Sequence, residues 1–164
     1  MSGVRLLSVE AYGAIDKEIA KYPVDRKSSA VMAALAIAQN ELGWVSESVV
    51  ADVAEYLEMR AIAVWEVATF YGMYNLDKPG RFKLAICTNL PCALQGANQT
   101  VDQLKAALGI NFNETTSDGS VTLKEAECMG ACGDAPVVII NDREMRGKVS
   151  VGDVDGLVEE LKAR

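Results

Sequence analysis

The chain has 164 residues, of which half are hydrophobic and about a quarter are charged, and its net charge is −7. This length and composition are typical of a soluble globular protein with one ordinary domain or two small ones. The negative charge argues against nucleic acid and anionic membrane surfaces as partners.

The first half of the chain is predicted to form a small bundle of four short helices. Ser8 is the expected N-cap of the first helix, and Pro23 ends it. Asp25 is predicted to open the second helix, which Gly43 closes, and Ser46 to cap the third. The fourth lies in the stretch AIAVWEVATFYGMY and ends near Gly72. The side chains predicted to face the core at helical spacing are Tyr12, Ile15, Ile19, Tyr22, Val31, Leu35, Ala38, Leu42, Val50, Val53, Ala54, Leu57, Val64, Trp65, Val67, Phe70 and Tyr71. For the aromatic fourth helix, a surface that docks a subunit is the alternative to a core position.

The pattern changes at residues 77–80, DKPG, which are predicted to be a turn or linker. A strand is expected at 82–86, a helix at 90–108 that Gly109 caps, strands at 121–125 and 137–140, and a short strand through about residue 149. Ser150 and Asp153 are expected to cap the last helix, whose core face is Val154, Leu157, Val158 and Leu161. This β-α-β-β-α order, with a helical crossover that implies a parallel first pair, is thioredoxin-like.

No segment of the sequence is typical of secretion or of a membrane span. The N-terminal stretch has no apolar signal core, and the longest apolar run, at residues 30–38, is about half of what a span requires. We therefore expect a cytoplasmic protein, in which cysteines serve metal or redox chemistry rather than disulfides.

The chain has four cysteines and no histidine. The absence of histidine excludes Cys2His2 and Cys3His zinc sites, His-ligated Rieske centres and Ser-His-Asp or Cys-His nucleophilic machinery. No G-x-G-x-x-G or P-loop motif is present, so we expect no nucleotide site.

The cysteines form two close pairs, CTNLPC at 87–92 and CMGAC at 128–132. The first pair follows a predicted strand and enters a helix, and the second lies in a loop rich in glycine and alanine that lets backbone N–H groups approach an anion. The C-x4-C and C-x3-C spacings favour an iron–sulfur cluster over a structural zinc site, which prefers C-x2-C pairs. Zinc and a redox dithiol or disulfide stay open as alternatives.

These motifs resemble a known family. The spacing C-x4-C, 35 residues and C-x3-C, within CTNLPC and ECMGACGDAP, is similar to that of the E-type subunit of bacterial NADH:quinone oxidoreductases, the respiratory complex I. Related chains of NAD-dependent formate dehydrogenases and bidirectional hydrogenases share the plan. The stretch AIAVWEVATFYGMYNL at 61–76 is similar to the family's segment before its ferredoxin domain, so the resemblance covers essentially the whole chain.

The resemblance implies an α+β or α/β architecture, with an N-terminal helical domain at residues 1–78 and a thioredoxin-like [2Fe-2S] ferredoxin domain at 79–164. Carried over, Cys87, Cys92, Cys128 and Cys132 are the ligands of one [2Fe-2S] cluster, and no residue is catalytic. Backbone N–H groups expected to face the sulfurs are those of Thr88, Asn89, Met129, Gly130 and Gly133. Two prolines are expected to shape the loops, Pro91 at the start of a helix and Pro136 before a buried strand.

The implied function is electron transfer in NADH:quinone oxidoreductase, a proton-translocating enzyme of the respiratory chain, within which this chain binds no substrate. It would accept an electron from FMN on the partner flavoprotein subunit, which also binds NADH. Other partners would be peripheral-arm subunits, on the cytoplasmic side of the inner membrane, with neither nucleic acid nor direct membrane insertion. The alternatives are the equivalent subunit of a formate dehydrogenase or hydrogenase, or a zinc-binding structural module.

Overall fold

In the computed structural model, which describes residues 5–164, the chain divides after Lys78 into two units, each with its own core. The first unit contains helices only. Its α-helices are α1 (Val9–Ile19), α2 (Val31–Leu42), α3 (Glu47–Leu57) and α4 (Ala61–Phe70), with a 3-10 helix at Val24–Ala30 before α2.

The helix ends of the first unit follow its capping residues. The Ser8 hydroxyl accepts the Ala11 N–H at 3.1 Å, and the Ser46 hydroxyl accepts the Val49 N–H at 3.3 Å. Gly43 closes α2 in the left-handed conformation, with φ +86, where a side chain would be strained. The sequence prediction of these three caps is confirmed.

The core of the first unit consists of the faces that α1–α4 turn toward one another. Ile15, Leu35, Leu57 and Val64 are fully or almost fully buried, and each such side chain contributes about 1.5–3 kcal/mol to folding. The sequence predicted these positions as core from their helical spacing.

Several other predictions for the first unit are wrong at helix ends. Asp25 opens a 3-10 helix rather than the α-helix, which begins at Val31. Tyr22, beyond the end of α1, is 41% exposed and Leu42, the last residue of α2, is 39% exposed, because no neighbouring helix covers them there. Phe70 is 79% exposed and Tyr71 38%, because α4 ends at Phe70 and the chain leaves in an extended conformation.

The second unit, Pro79–Arg164, is a four-stranded sheet with helices. Its elements are β1 (Phe82–Cys87), α5 (Leu90–Leu94), α6 (Ala97–Leu108), β2 (Val121–Ala126), a 3-10 helix (Cys132–Asp134), β3 (Val138–Ile140), β4 (Glu144–Arg146), a 3-10 helix (Val151–Asp153) and α7 (Val154–Ala163). The strand order is β2-β1-β3-β4, with β1 parallel to β2 and the other pairs antiparallel.

β1 is a central strand, and all six of its residues are buried. Leu104 from α6, Leu123 from β2 and Leu161 from α7 are fully buried in the same core. The predicted β-α-β-β-α order and the parallel first pair are therefore confirmed. The capping box of Ser150 and Asp153 also forms as predicted, although one 3-10 turn precedes α7.

The helix expected at residues 90–108 is in fact two helices. α5 ends at Leu94, and the chain passes through Gly96 with φ +94 before α6 begins at Ala97. A residue with this φ cannot continue a right-handed helix, so the glycine breaks it. The strand expected through about residue 149 is likewise shorter and ends at Arg146.

Within residues 5–164, none of the helices combines the length and the apolar composition that crossing a membrane would require.

Candidate metal centre

Cys87 and Cys92 are held by the end of β1 and by α5. Cys87 is the last residue of β1, opposite Ala126 of β2, and its N–H donates to the carbonyl of Val137 at 3.0 Å. Cys92 lies in α5, whose first turn contains Pro91, as expected for a proline at a helix start. Both cysteines are 2% exposed, so this pair faces the protein interior.

α5 buries its cysteine and leaves its other large apolar side chains outside. Leu90 and Leu94 are 71% and 77% exposed, whereas Cys92 is the residue that the helix buries. A five-residue helix that buries a thiol in preference to two leucines has little stability of its own, since most of its hydrophobic surface stays in water. The sheet and loops around Cys92 therefore hold it in place.

The second pair lies in the loop after β2, at the surface. Cys128 and Cys132 are exposed, and their sulfur atoms are 3.8 Å apart. Gly130, between them, has φ +74, and its N–H donates to the Cys128 sulfur at 3.4 Å. The positive φ gives the loop the tight reversal that brings the two sulfurs together.

Hydrogen bonds fix the segment that follows Cys132. The Asp134 N–H donates to the Ala131 carbonyl at 2.9 Å, and the Lys148 N–H donates to the Asp134 carbonyl at 2.6 Å. Gly147 allows this approach, because a Cβ at that position would lie 2.5 Å from the Asp134 Cβ. The Ala135–Pro136 peptide bond is cis.

The surroundings of the buried pair are apolar. Cys87, Cys92, Ala97 and Val137 form one buried cluster, against which Met129, Ala131 and Ala135 pack. The second cysteine loop therefore covers the first pair with small or soft side chains. Such a shell keeps water away from whatever the thiols bind.

The thiols influence one another's protonation. Burial, followed by a hydrogen bond with Cys87, raises the pKa of the Cys92 thiol, and negative charge on Cys87 and Cys132 raises it further. The hydrogen bond with Cys128 raises the pKa of the Cys132 thiol, and charge on Cys128 and Cys87 adds to this. Bare thiols here hold their protons, so a bound cation must displace them.

The donor set suits a group with more than one metal ion. Thiolates are soft ligands that select iron–sulfur clusters and zinc. Among residues 5–164, no three side chains of cysteine or carboxylate residues converge as ligands of a single ion. The cysteines lie instead as two pairs, which fits a binuclear cluster whose irons each take two thiolates.

The backbone donors predicted to face the sulfurs are met in part. The Gly130 N–H donates to the Cys128 sulfur, whereas the Thr88 N–H donates to the carbonyl of Ala126 at 3.4 Å. The reason is that Thr88 extends the pairing of β1 with β2 by one residue.

Sequence reasoning missed two hydrogen bonds between the cysteine loops. The Thr88 hydroxyl donates to Glu125 at 2.7 Å, and the Asn89 amide donates to Glu127 at 2.8 Å. The predicted parallel pairing contained the signal, because it places the residues after Cys87 beside those before Cys128.

A sheet of this order, with one cysteine pair at the end of β1 and another after β2, defines a thioredoxin-like iron–sulfur protein. The chain belongs to the thioredoxin-like [2Fe-2S] ferredoxin family, whose model matches residues 15–162.

The curated relatives carry the name of one respiratory enzyme. An E-type subunit of NADH-quinone oxidoreductase from Rhizobium meliloti (strain 1021), numbered 2, is 40% identical over 149 residues, which cover 91% of this chain and 87% of the relative. The E-type subunit of NADH-quinone oxidoreductase from Rickettsia felis (strain ATCC VR-1525 / URRWXCal2) is 44% identical over 125 residues, which cover 76% of this chain and 75% of the relative.

Among solved structures, a chain of an NAD+-reducing [NiFe]-hydrogenase in the air-oxidized state is similar with a TM-score of 0.71. The match has 21% identity and covers 81% of this chain, which spans 23% of the hydrogenase chain. This similarity shows a shared fold.

Proposed function

We propose that this chain is the electron-transfer subunit of an NADH:quinone oxidoreductase, and that Cys87, Cys92, Cys128 and Cys132 bind one [2Fe-2S] cluster. The observation that carries the proposal is the pairing of the thiols: two are buried at the end of β1 and α5, and two are 3.8 Å apart in the loop after β2. The relatives named as E-type subunits support the choice of enzyme.

When bound, a [2Fe-2S] cluster supplies a site that gains and loses a single electron. The chain's own residues determine how this site is exposed. Cys87 and Cys92 lie in an apolar cluster that excludes water from one side, whereas Cys128 and Cys132 lie at the surface. The exposed loop is therefore the side from which we propose that an electron enters.

The partner that supplies the electron is the flavoprotein subunit that binds FMN and NADH, since the sequence of this chain has no nucleotide motif. We propose that the chain joins this subunit in the peripheral arm, on the cytoplasmic side of the inner membrane. The equivalent subunit of a hydrogenase or formate dehydrogenase is the nearest alternative, but the hydrogenase similarity, at 21% identity, concerns the fold.

The decisive experiment is a visible absorption and low-temperature EPR spectrum of anaerobically purified protein, before and after dithionite, together with iron and sulfide analysis. We expect a brown protein with about two irons and two sulfides per chain and one S = 1/2 signal on reduction. A colourless, EPR-silent protein that contains zinc would contradict the proposal and identify a zinc-binding structural module.

The ligand assignment is tested by Cys92→Ser, with Ala93→Ser as the matched control on the same helix. A serine oxygen is a harder ligand than thiolate, so we expect C92S to change the EPR spectrum of the reduced cluster and to lose iron faster. A93S adds the same hydroxyl without removing a sulfur and should keep the wild-type spectrum. A C92S spectrum identical to the wild type would remove Cys92 from the ligand set.

A further inference from the structure

Two hydrogen bonds connect the cysteine loops through side chains. The Thr88 hydroxyl donates to Glu125 at 2.7 Å and the Asn89 amide donates to Glu127 at 2.8 Å. Both donors directly follow the first cysteine of the buried pair, and Glu127 directly precedes the exposed pair. Each bond therefore joins a residue next to one cysteine pair to a residue shortly before the other.

Asn89 is placed where its side chain would ordinarily cap a helix. It is the N-cap residue of α5, yet its side chain makes no capping hydrogen bond. Ser8 and Ser46 do cap the helices that follow them. The Asn89 amide is directed instead to Glu127. A good capping residue is thus used to connect the two loops.

The acceptors of these bonds are carboxylates without a basic partner. In the described part of the chain, no ion pair includes Glu125 or Glu127, and their donors are a neutral hydroxyl and a neutral amide. Glu144 and Glu160, by contrast, both pair with Arg146. Negative charge therefore remains uncompensated directly beside the cysteine loops.

We propose that Glu125 and Glu127 are positioning residues, which hold the exposed cysteine pair against the buried pair through Thr88 and Asn89, and whose charges disfavour reduction of the cluster. This inference rests on the proposed function, because it concerns a cluster at these cysteines.

The electrostatic part follows from the charge of the cluster. A [2Fe-2S] centre with four thiolates is dianionic when oxidised and trianionic when reduced, so each nearby carboxylate opposes the added electron. Replacing a glutamate by glutamine removes the charge and keeps an oxygen that accepts the same hydrogen bond. Such a variant separates the effect of charge from the effect of the bond.

The charge is tested by EPR-monitored redox titration of the cluster-loaded full chain, as wild type and as the variants Glu125→Gln, Glu127→Gln and Glu159→Gln. Glu159 is exposed on α7, so E159Q makes the same change in net charge elsewhere in the unit. We expect E125Q and E127Q each to favour the reduced cluster by about three- to tenfold at a fixed potential, where tenfold equals about 59 mV. E159Q should change this ratio far less.

The connection between the loops is tested by Thr88→Val and Asn89→Leu, which keep the approximate size and remove the donor. We expect the double variant to release iron to a chelator roughly tenfold faster, because each lost bond had a charged acceptor. Thr88→Ser retains a hydroxyl and should release iron at the wild-type rate. Amide hydrogen exchange in residues 128–135 of the cluster-free chain should rise in the double variant, and this second readout does not depend on the metal.

The outcomes separate this inference from the proposed function. Equal potentials for E125Q, E127Q and E159Q would overturn the effect of charge. Unchanged iron release and unchanged exchange in the double variant would overturn the positioning role. A wild-type chain that contains zinc and no iron would contradict the proposed function and the effect of charge together, while hydrogen exchange would still decide the positioning role.

Discussion

At the scale of single residues, a pair of tyrosines in the first unit is held by carboxylates. The Tyr12 hydroxyl donates to Asp52 and the Tyr56 hydroxyl to Asp16, each at 2.6 Å, and the ring centroids are 4.7 Å apart. Burial and then the hydrogen bond to Asp52 raise the pKa of Tyr12 to about 12. Burial and then the bond to Asp16 raise the pKa of Tyr56 to about 12.

These shifts predict that the first unit loses stability in alkali. An unfolded tyrosine ionises near pH 10, whereas Tyr12 and Tyr56 stay neutral in the folded chain up to about pH 12. The neutral form is favoured by folding, so its contribution is complete below about pH 10 and is lost between about pH 10 and 12. Urea unfolding at several pH values, with tyrosinate absorbance at 295 nm, measures both effects.

The double variant Tyr12→Phe, Tyr56→Phe should show a shallower decline in this pH window. At neutral pH each lost hydrogen bond should cost about 0.5–1.5 kcal/mol of the free energy of unfolding. Tyr22→Phe is the matched control, because Tyr22 is 41% exposed. If all the tyrosines titrated together near pH 10 in the folded chain, the prediction would be wrong.

At the scale of elements, Gly96 separates α5 from α6. Its φ of +94 lies in the region that an L side chain rarely adopts, and an added Cβ would meet the Gln99 side chain at an ordinary 3.6 Å. The requirement for glycine at this position is therefore one of backbone conformation and not of space.

We predict that Gly96→Ala lowers the free energy of unfolding of the second unit by about 1–2 kcal/mol. Gly156→Ala is the control, because Gly156 lies in α7 with nothing within 4 Å of its added Cβ. In a helix this exchange should stabilise by about 0.5–1 kcal/mol. Urea unfolding followed by far-UV circular dichroism compares the two, and equal stabilities would show that the chain relaxes around Gly96.

The same element shows why some boundaries could be predicted and others could not. Ser8, Gly43 and Ser46 mark helix ends through local hydrogen bonding and backbone conformation, and each of these ends appears where the sequence indicates. Gly96 lies inside a stretch whose apolar spacing predicts one helix. A lone glycine is tolerated in helices, so its sequence context did not distinguish a break from a continuation.

At the scale of the whole molecule, the two units have cores that share no residue. One core includes Ile15, Leu35 and Val64, and the other includes Leu84, Leu104 and Leu161. We propose that the units, at residues 1–78 and 79–164, are two domains that unfold separately, of which the second depends on the cluster.

Removal of the cluster with a chelator should therefore destabilise the second unit selectively. A group that binds the folded state at a hundredfold excess over its Kd contributes about 2.7 kcal/mol, and we expect a loss of at least that order. Hydrogen exchange should rise in residues 87–92 and 128–135, while peptides from α1–α4 keep their protection. A similar rise in both units would contradict independent domains.

The cysteine pairs could be found from the sequence because C-x4-C and C-x3-C are local spacings at predicted strand ends. The bonds of Thr88 and Asn89 to the second loop could not, because they depend on the register in which Cys87 lies opposite Ala126. A register shift of one residue would turn every side chain of a strand to the opposite face. Such precision comes from packing of the whole sheet.

The parallel pairing of β1 with β2 also determines when the site can form in the cell. Cys87 and Cys92 are synthesised first, and the ribosome, which adds roughly 5–20 residues per second, needs a few seconds more to reach Cys128. β1 pairs in the sheet with β2 and β3, which follow it in the chain. The iron and sulfide delivered by the cell's assembly machinery therefore enter a site whose two halves meet only when the sheet has closed, so loading is a late event in maturation.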